Sequence, residues 1–347
     1  MGEPLIECVP NFSEGRDKQV IDAIIDSITC VDGVSLLDVD MGADFNRTVI
    51  TMVGKPEAVL KAAIDSTGVA LELIDMSKHH GEHARIGAVD VVPFIPLSNS
   101  SIEDCIALSE RYGKIVSDRY GIPVFLYAES ARDDSRVKLP DIRKGEYENL
   151  QEKLSDPFWK PDYGPSQFIP RSGATATGAR QILIAYNVNL NTSDKSLANE
   201  IAGIIRTSGV ILRDQDGNKV TDSNGMTVRN YGQFKSLQAA GWMYDDDTAQ
   251  VSMNLLDHTT TGLHDVTDAI RFEAERLGLK VTSSELVGLV PKEAMIRAGI
   301  HYSIDKNESD EYKILQHAVD GLCLGGLHEF DINNSIIELA VRRTNNE

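Results

Sequence analysis

The stretch Met76-Ser77-Lys78-His79-His80-Gly81-Glu82-His83-Ala84-Arg85 holds three of the chain's eight histidines, two basic residues and a glutamate. Histidine exchanges a proton near neutral pH, so the cluster suits proton transfer or a metal. His79 to His83 follows the H-x-x-E-H order of one metalloprotease class. That reading puts His79 and His83 at i and i+4 of a helix, with Glu82 as base. Gly81 opposes it, since glycine costs a helix about 1 kcal/mol, and no distant acidic residue stands out as a third ligand. A second reading is a solvated surface turn. A third is one catalytic histidine placed by a tight glycine turn, with Arg85 beside it to hold an anion. Lys78 and Arg85 favour the third, because fixed cations disfavour binding another cation.

Two further groups of residues invite chemistry. Gly173-Ala-Thr-Ala-Thr-Gly178-Ala179-Arg180 has the glycine spacing of a phosphate-binding loop. The required Lys and Ser/Thr are replaced by Ala179 and Arg180, so nucleotide binding by this motif is rejected. Small residues there let backbone approach another segment or a ligand closely, or simply form a turn. Asp38-Val39-Asp40 ends an apolar run and Asn46-Arg47 opens the next. Alternation places Asp38 and Asp40 on one strand face, where a carboxylate can orient a histidine or stay a solvated turn residue.

The elements that must position these groups read in the order β-α-β-β-α-β. Leu5 to Val9, Val34 to Val39, Thr48 to Val53 and Val89 to Ile95 are strand-like, and Pro123 to Tyr127 is a further strand. Val20, Ile21, Ile24, Ile25 and Ile28 form one helical stripe. Pro56 opens a second helix that carries Leu60, Ile64, Leu71 and Ile74 inward and ends near Lys78. Ser101 and Asp104 are spaced as a capping box before a third. The second half repeats the order. Ile182 to Leu190, Ser236 to Met243, Gln250 to Leu256 and Leu279 to Thr282 are strands. Helices carry Leu197, Ile201, Ile204 and Ile205, then Leu263, Val266, Ile270 and Leu277, with Gly278 as C′.

Two such units imply an α+β fold of two tandem ferredoxin-like (βαββαβ) subdomains, residues 1–180 and 181–347, each sheet covered by helices on one face. Between them, Ala128 to Arg180 has little periodicity. Its Trp159, Tyr163 and Phe168 argue for order, as a segment crossing between the sheets and lining a cleft. Arg213 to Gly232 carries Asp-Gly and Asn-Gly turn signals and reads as an exposed hairpin. An amphipathic helix covers Tyr312 to Leu322 and is assigned no chemistry.

Composition narrows the classes. The chain has 347 residues and a formal net charge of −19, which argues against general nucleic-acid or anionic-membrane binding. No apolar run is long enough to span a bilayer. The N-terminus lacks a secretory pattern, and Cys8, Cys30, Cys105 and Cys323 are scattered without metal-knuckle spacing. The expectation is a cytoplasmic protein with reduced, mostly buried thiols.

Long runs of the chain resemble glutamate formiminotransferase. They are Glu7-Cys-Val-Pro-Asn-Phe-Ser-Glu-Gly15, Leu36 to Asp40, Asn46 to Val49, Asp75 to Pro96, Gly145 to Glu148, Gly164 to Arg180 and Glu285 to Pro291. The resemblance covers nearly the whole chain and implies transfer of a formimino group from N-formimino-L-glutamate to N5 of tetrahydrofolate. It further implies a folate channel between two ferredoxin-like subdomains, and a homodimer. Tetrahydrofolate is then the co-substrate, and no metal is required. Vertebrate members fuse this domain to a cyclodeaminase; this chain resembles the stand-alone microbial form.

By the same resemblance, the catalytic histidine is His83. The folate-binding stretch is Gly164, Pro165, Ser166, Gln167, Phe168, Ile169, Pro170, Arg171, Ser172 and Gly173. Arg171-Ser172 stands where vertebrate members have Ser-Trp, so an aromatic that can pack on the ligand is missing. The Arg213 to Gly232 insertion is longer than in those members.

The chemistry is consistent with that expectation. N5 attacks an amidine carbon, a base removes its proton, and an acid protonates the departing glutamate nitrogen. One imidazole titrating near neutrality serves both steps, with Asp40 to hold it or the formimino N–H. Arginine forks suit the substrate carboxylates, and Arg47 and Arg85 are the candidates. Three alternatives remain: cyclo-ligase action on 5-formyltetrahydrofolate in the same cleft, a metal-dependent hydrolase using HHGEH, and a folate-binding module without turnover.

Overall fold

A computed structural model describes residues 3–305, 307–327 and 329–344. The chain divides into two compact units, Met1–Gln181 and Ile182–Glu347.

In the first unit the elements are β1 (Leu5–Cys8), β2 (Asn11–Phe12), α1 (Lys18–Thr29), β3 (Val34–Gly42), β4 (Arg47–Gly54), α2 (Pro56–Leu73), β5 (Val89–Ser98), α3 (Ile102–Tyr120), β6 (Val124–Ala128), α4 (Leu139–Arg143), α5 (Leu150–Ser155) and β7 (Thr175–Ala179). Among the described residues they form a seven-stranded sheet. β4 lies between β3 and the β1/β2 line, β5 follows, and β7 then β6 close the far side. Pro10 has no N–H to give the ladder, and it separates β1 from β2 along one line between β4 and β5. The β1-α1-β3-β4-α2-β5 part has antiparallel pairings throughout, whereas β7 runs parallel to both β5 and β6.

That parallel side corrects the one-face expectation. β5 sends Val92 and Phe94 into the main core with α1, α2 and α3. Its Val91 points into a second core with Phe125, Ile142, Leu150 and Leu154. A parallel strand is buried on both faces, so the first unit needs cover on its second face. The 128–174 segment supplies it through α4 and α5, and ends in β7 as part of the sheet.

The second unit continues with β8 (Ile184–Leu190), α6 (Lys195–Ile205), β9 (Val210–Ile211), β10 (Arg229–Asn230), β11 (Leu237–Met243), β12 (Ala249–Leu255), α7 (Leu263–Arg276), β13 (Val281–Val287), α8 (Lys292–Tyr302), α9 (Glu311–Leu322), α10 (Ile332–Ser335) and α11 (Ile337–Thr344). The order β11-β12-β8-β13 is antiparallel throughout. Its last strand starts two positions after Leu279 and runs on to Val287, because Gly278 at φ +73° first closes α7. The 213–232 insertion is a mostly exposed excursion that leaves after β9 and returns through β10, which pairs with β9; it turns at Gly217 and Gly225 with φ +82° and +78°. All four cysteines are free; Cys8 and Cys105 are buried, while Cys30 is exposed. Among the described residues no helix is long and apolar enough to cross a membrane.

Candidate active site

The histidine loop leaves α2 earlier than its apolar spacing implies. Ile74 turns extended, with φ −91° and ψ 131°, so the helix stops at Leu73 and not near Lys78. A single 3-10 turn, Met76–Lys78, follows; the Asp75 carboxylate accepts from the Ser77 amide at 3.1 Å. Residues 79–86 then run without helix or strand. An ideal Cβ on Gly81 would lie 2.3 Å from the Phe45 carbonyl oxygen. Glycine is therefore required by close approach to the 42–47 turn.

His83 is half-buried against the start of β4. Its Nδ1 lies 2.7 Å from the Ala84 carbonyl oxygen and 2.6 Å from Nη1 of Arg47, which also meets Nε2. A carbonyl only accepts, so Nδ1 carries the proton and Nε2 presents its lone pair to the guanidinium; the tautomer follows from the network. Burial first, and the Arg47 charge second, push the His83 pKa below its ordinary value. The imidazole is thus neutral at neutral pH, in the form of a general base.

Arg47 is itself perturbed. Burial lowers its guanidinium to about 10, opposed by Asp90 and Asp40. Its Nε is buried without a hydrogen-bond partner. Among the described residues no carboxylate pairs with it. Asp40 lies exposed on β3 opposite Val49 and does not hydrogen-bond His83; the Ala84 carbonyl orients the ring instead. Asp90 is the buried carboxylate of the site, only 2% exposed. It accepts from the Ile86 amide at 3.0 Å and pairs with Arg143 of α4.

Arg85 has a different environment from the one its motif suggests. Its guanidinium is buried, and its fork is filled: Nη1 and Nη2 reach Glu148 at 2.8 and 2.6 Å, and Nη1 reaches Glu146 at 3.1 Å. Its Nε donates to Nδ1 of His79 at 3.3 Å. The expected substrate clamp is occupied by protein carboxylates. His79 is buried and His80 exposed, with its carbonyl taken by the Asn46 side chain at 3.0 Å. The helix that H-x-x-E-H metal binding needs is not formed, and both ring nitrogens of His79 are engaged.

The Gly164 to Gly173 stretch is split in two. Gly164 to Gln167 form a mostly exposed loop, with Gly164 at φ +85°. Phe168 packs 5.4 Å from Tyr147 and against the second core, so its ring is a half-buried anchor and not a free face. Ile169, Pro170, Arg171, Ser172 and Gly173 are tied down beside the histidine loop. The Pro170 carbonyl accepts from the Tyr147 hydroxyl, Arg171 from the Met76 amide, and Ser172 from the Ala88 amide. Gly173, at φ +67°, leaves no room for a side chain under Ile86. The Ser172 hydroxyl is buried without a partner.

Ser13, Phe45, Asn46, Arg47, His79, His83, Arg85 and Asp90 line a narrow cleft with no space for a water molecule. Beside it opens a cavity of about 520 Å³ bordered by His80, Gly81, Arg85, Gly145, Glu146, Glu148 and Asn149. Phe45 of the narrow cleft is 49% exposed, with its ring 6.4 Å from and perpendicular to His83. Sequence reasoning gave no role to Asp90, Arg143, Asn46, Glu146 or Phe45. Four of them lie in or next to the motif runs quoted above; Arg143 carries no local signal. The glycine-spaced run before Arg180 is the buried strand β7, with no phosphate cradle.

Comparison with known proteins identifies the family of the chain. The model described as formiminotransferase domain, N-terminal subdomain, matches residues 5–180, and that described as formiminotransferase domain matches residues 185–342. A formimidoyltransferase-cyclodeaminase of Gallus gallus is 47% identical over 97% of this chain and 60% of its own length. This chain thus spans about 60% of the length of those two-named relatives. A glutamate formimidoyltransferase of Streptococcus pyogenes is 40% identical over 86% of this chain and 93% of its own length. One from Thermoplasma acidophilum is 42% identical over 91% and 97%. With both halves matched and relatives covered nearly end to end, the chain belongs to the formiminotransferase family.

Proposed function

We propose that this protein transfers the formimino group of N-formimino-L-glutamate to N5 of tetrahydrofolate, releasing L-glutamate and 5-formiminotetrahydrofolate, with His83 as general acid–base. The observation that carries the reading is a neutral, half-buried His83 whose Nε2 faces Arg47, a guanidinium without a carboxylate partner among the described residues. Relatives of similar length named glutamate formimidoyltransferase support the reaction class.

The steps balance on these groups. A substrate carboxylate pairs with Arg47 and draws it off His83, which frees the Nε2 lone pair. N5 of tetrahydrofolate attacks the formimino carbon, a new C–N bond forms, and Nε2 takes the N5 proton. The protonated imidazole returns that proton to the glutamate nitrogen as its C–N bond breaks. Arg47 stabilises the imidazolium-bearing intermediate least while it is close, so its withdrawal favours proton uptake. Asp90, fixed by Arg143, supplies the nearby negative charge; Asp40 contributes from the surface of β3.

The ferredoxin-like reading of each unit is supported by the β1-α1-β3-β4-α2-β5 and β8-α6-β11-β12-α7-β13 orders. The subdomain boundary at residue 180, the folate channel between the units, the Gly164 to Gly173 contacts, the homodimer and the cytoplasmic location are parts of the proposal that rest on the family resemblance. The deciding assay mixes the purified chain with formiminoglutamate and tetrahydrofolate and follows glutamate release. Glutamate release that does not depend on tetrahydrofolate, or none at all, overturns the reading.

A further inference from the structure

Asn46 sits immediately before Arg47 and holds φ at +48°, a left-handed conformation that a side chain disfavours. Asparagine tolerates this region better than other side chains, and here its surroundings also hold it there. Four hydrogen bonds do so here. Its amide donates to the Ala43 carbonyl at 3.3 Å, and its side-chain oxygen accepts from the Gly15 amide at 3.0 Å. Its Nδ2 donates to the His80 carbonyl at 3.0 Å. Its own carbonyl lies 2.9 Å from Nε2 of His79.

The tautomer of His79 follows from its two partners. The Nε of Arg85 can only donate, so Nδ1 of His79 accepts at 3.3 Å. Nε2 must then carry the proton that the Asn46 carbonyl receives. His79 is 8% exposed. Arg85, Glu14 and Arg16 act on it electrostatically, as it does on Glu148. The carbonyl it holds belongs to the peptide plane that opens β4, which directs how Arg47 leaves the sheet toward His83.

We propose that His79 is a positioning residue for the transfer: its Nε2–H fixes the Asn46 carbonyl and thereby sets the Arg47 guanidinium against His83. This rests on the proposed function and adds to it a role for the second buried histidine of the motif. The groups around His83 are Arg47 from β4, Asp90 from β5 and Arg143 from α4. Moving Arg47 is therefore readable as a change in the His83 titration.

Two near-isosteric variants separate the two bonds. His79→Gln places an amide N–H where Nε2 stands and keeps the donor to Asn46. His79→Asn reaches only as far as Nδ1, keeps an acceptor for Arg85 and loses Asn46. The expected result is that His79→Asn lowers kcat/KM for formiminoglutamate about tenfold or more relative to His79→Gln, because a displaced Arg47 meets the substrate carboxylate less well. Its acid limb also moves up toward the ordinary imidazole value, while that of His79→Gln stays with the wild type. NMR titration of the His83 ring in each variant reads the same shift without turnover. Equal kcat/KM in the two variants, or a loss with no change in the His83 titration, overturns the positioning role while wild-type turnover leaves the proposed function standing. A wild type without turnover overturns the proposed function, and with it this role in transfer.

Discussion

The Arg47 guanidinium meets both ring nitrogens of His83, with Nη1 at 2.6 Å from Nδ1. A fixed cation against a base suppresses protonation. Burial first, and this cation second, therefore hold His83 neutral below the pH at which a free imidazole would charge. His83→Ala is expected to lower kcat about 100-fold or more, the scale of a lost general acid–base. In the wild type, the acid limb of kcat/KM, which reports the free enzyme, should fall below about 6.5, the free-imidazole value. Replacing Arg47 by Met removes one lowering charge, so the limb should move up. A limb that stays put in the Arg47→Met variant would sever the link between the two residues.

Arg47 is also the expected carboxylate contact. Arg47→Lys keeps the charge and loses the fork, and a charged hydrogen bond is worth about 1.5–3 kcal/mol. The KM for formiminoglutamate should rise about tenfold or more, with a smaller change for tetrahydrofolate. Steady-state kinetics with each substrate varied in turn decides it. An unchanged formiminoglutamate KM places the substrate carboxylates elsewhere.

Arg85 should act on the fold more than on substrate. Its fork is held by Glu148 and Glu146, which are 60% and 44% exposed at their side chains, while Arg85 is 7%. Arg85→Ala removes the tie between the histidine loop and the Glu146–Glu148 strand of chain. The melting temperature should drop by several degrees, where about 1 kcal/mol corresponds to roughly 2–4 °C. Glu148→Ala should cost less, because solvent screens its exposed carboxylate. A large KM effect with unchanged melting would restore Arg85 to the substrate.

The two phenylalanines should separate ligand binding from packing. Phe45 offers an exposed face beside His83, and an aromatic stack is worth about 0.5–1.5 kcal/mol. Phe45→Ala should raise the tetrahydrofolate KM about threefold to tenfold with little change in melting. Phe168→Ala should do the reverse, since its ring packs on Tyr147. Inverted results would return the stacking role to Phe168.

Stability itself should fall in mild acid. Burial lowers the pKa of His79, His83, His258 and His264. The unfolded chain then binds more protons at these sites than the folded one below about 6.5. Their contribution is present above that pH and is lost as pH falls through the lowered folded values. Urea midpoints measured from pH 8 to 5 should decline in the lower half of the range. Removing His258 and His264 should flatten the decline; an unaltered slope would trace it to other groups.

Local pattern was enough for much of this. Alternation and helical stripes gave the twelve core elements of the two βαββαβ units, because each buries one apolar face whose period is written in its own residues. The Ser101/Asp104 capping box is present. Glycine 278 closes α7. The motif and the family resemblance single out His83 as the candidate base, and the structure sets it against Arg47. What stayed hidden is long-range. The strand β7 looks like a glycine turn, since a strand buried on both faces shows no alternation. The α2 boundary failed because Ile74 continues the apolar stripe while its backbone turns away.

The sequence by itself determined which residue types were at hand: histidines on one loop, arginines flanking it, carboxylates on β3 and in the Gly145 to Glu148 run. Only the tertiary structure decided their partners. Arg47 and Arg85 are equal in sequence as carboxylate forks, yet one faces an imidazole and the other two glutamates more than sixty positions away. Asp40 looked like the site's carboxylate, and the buried one is Asp90. Charge and spacing along a chain cannot encode this. Pairing energies depend on distance and on exclusion of water, and both are set when separate segments pack together.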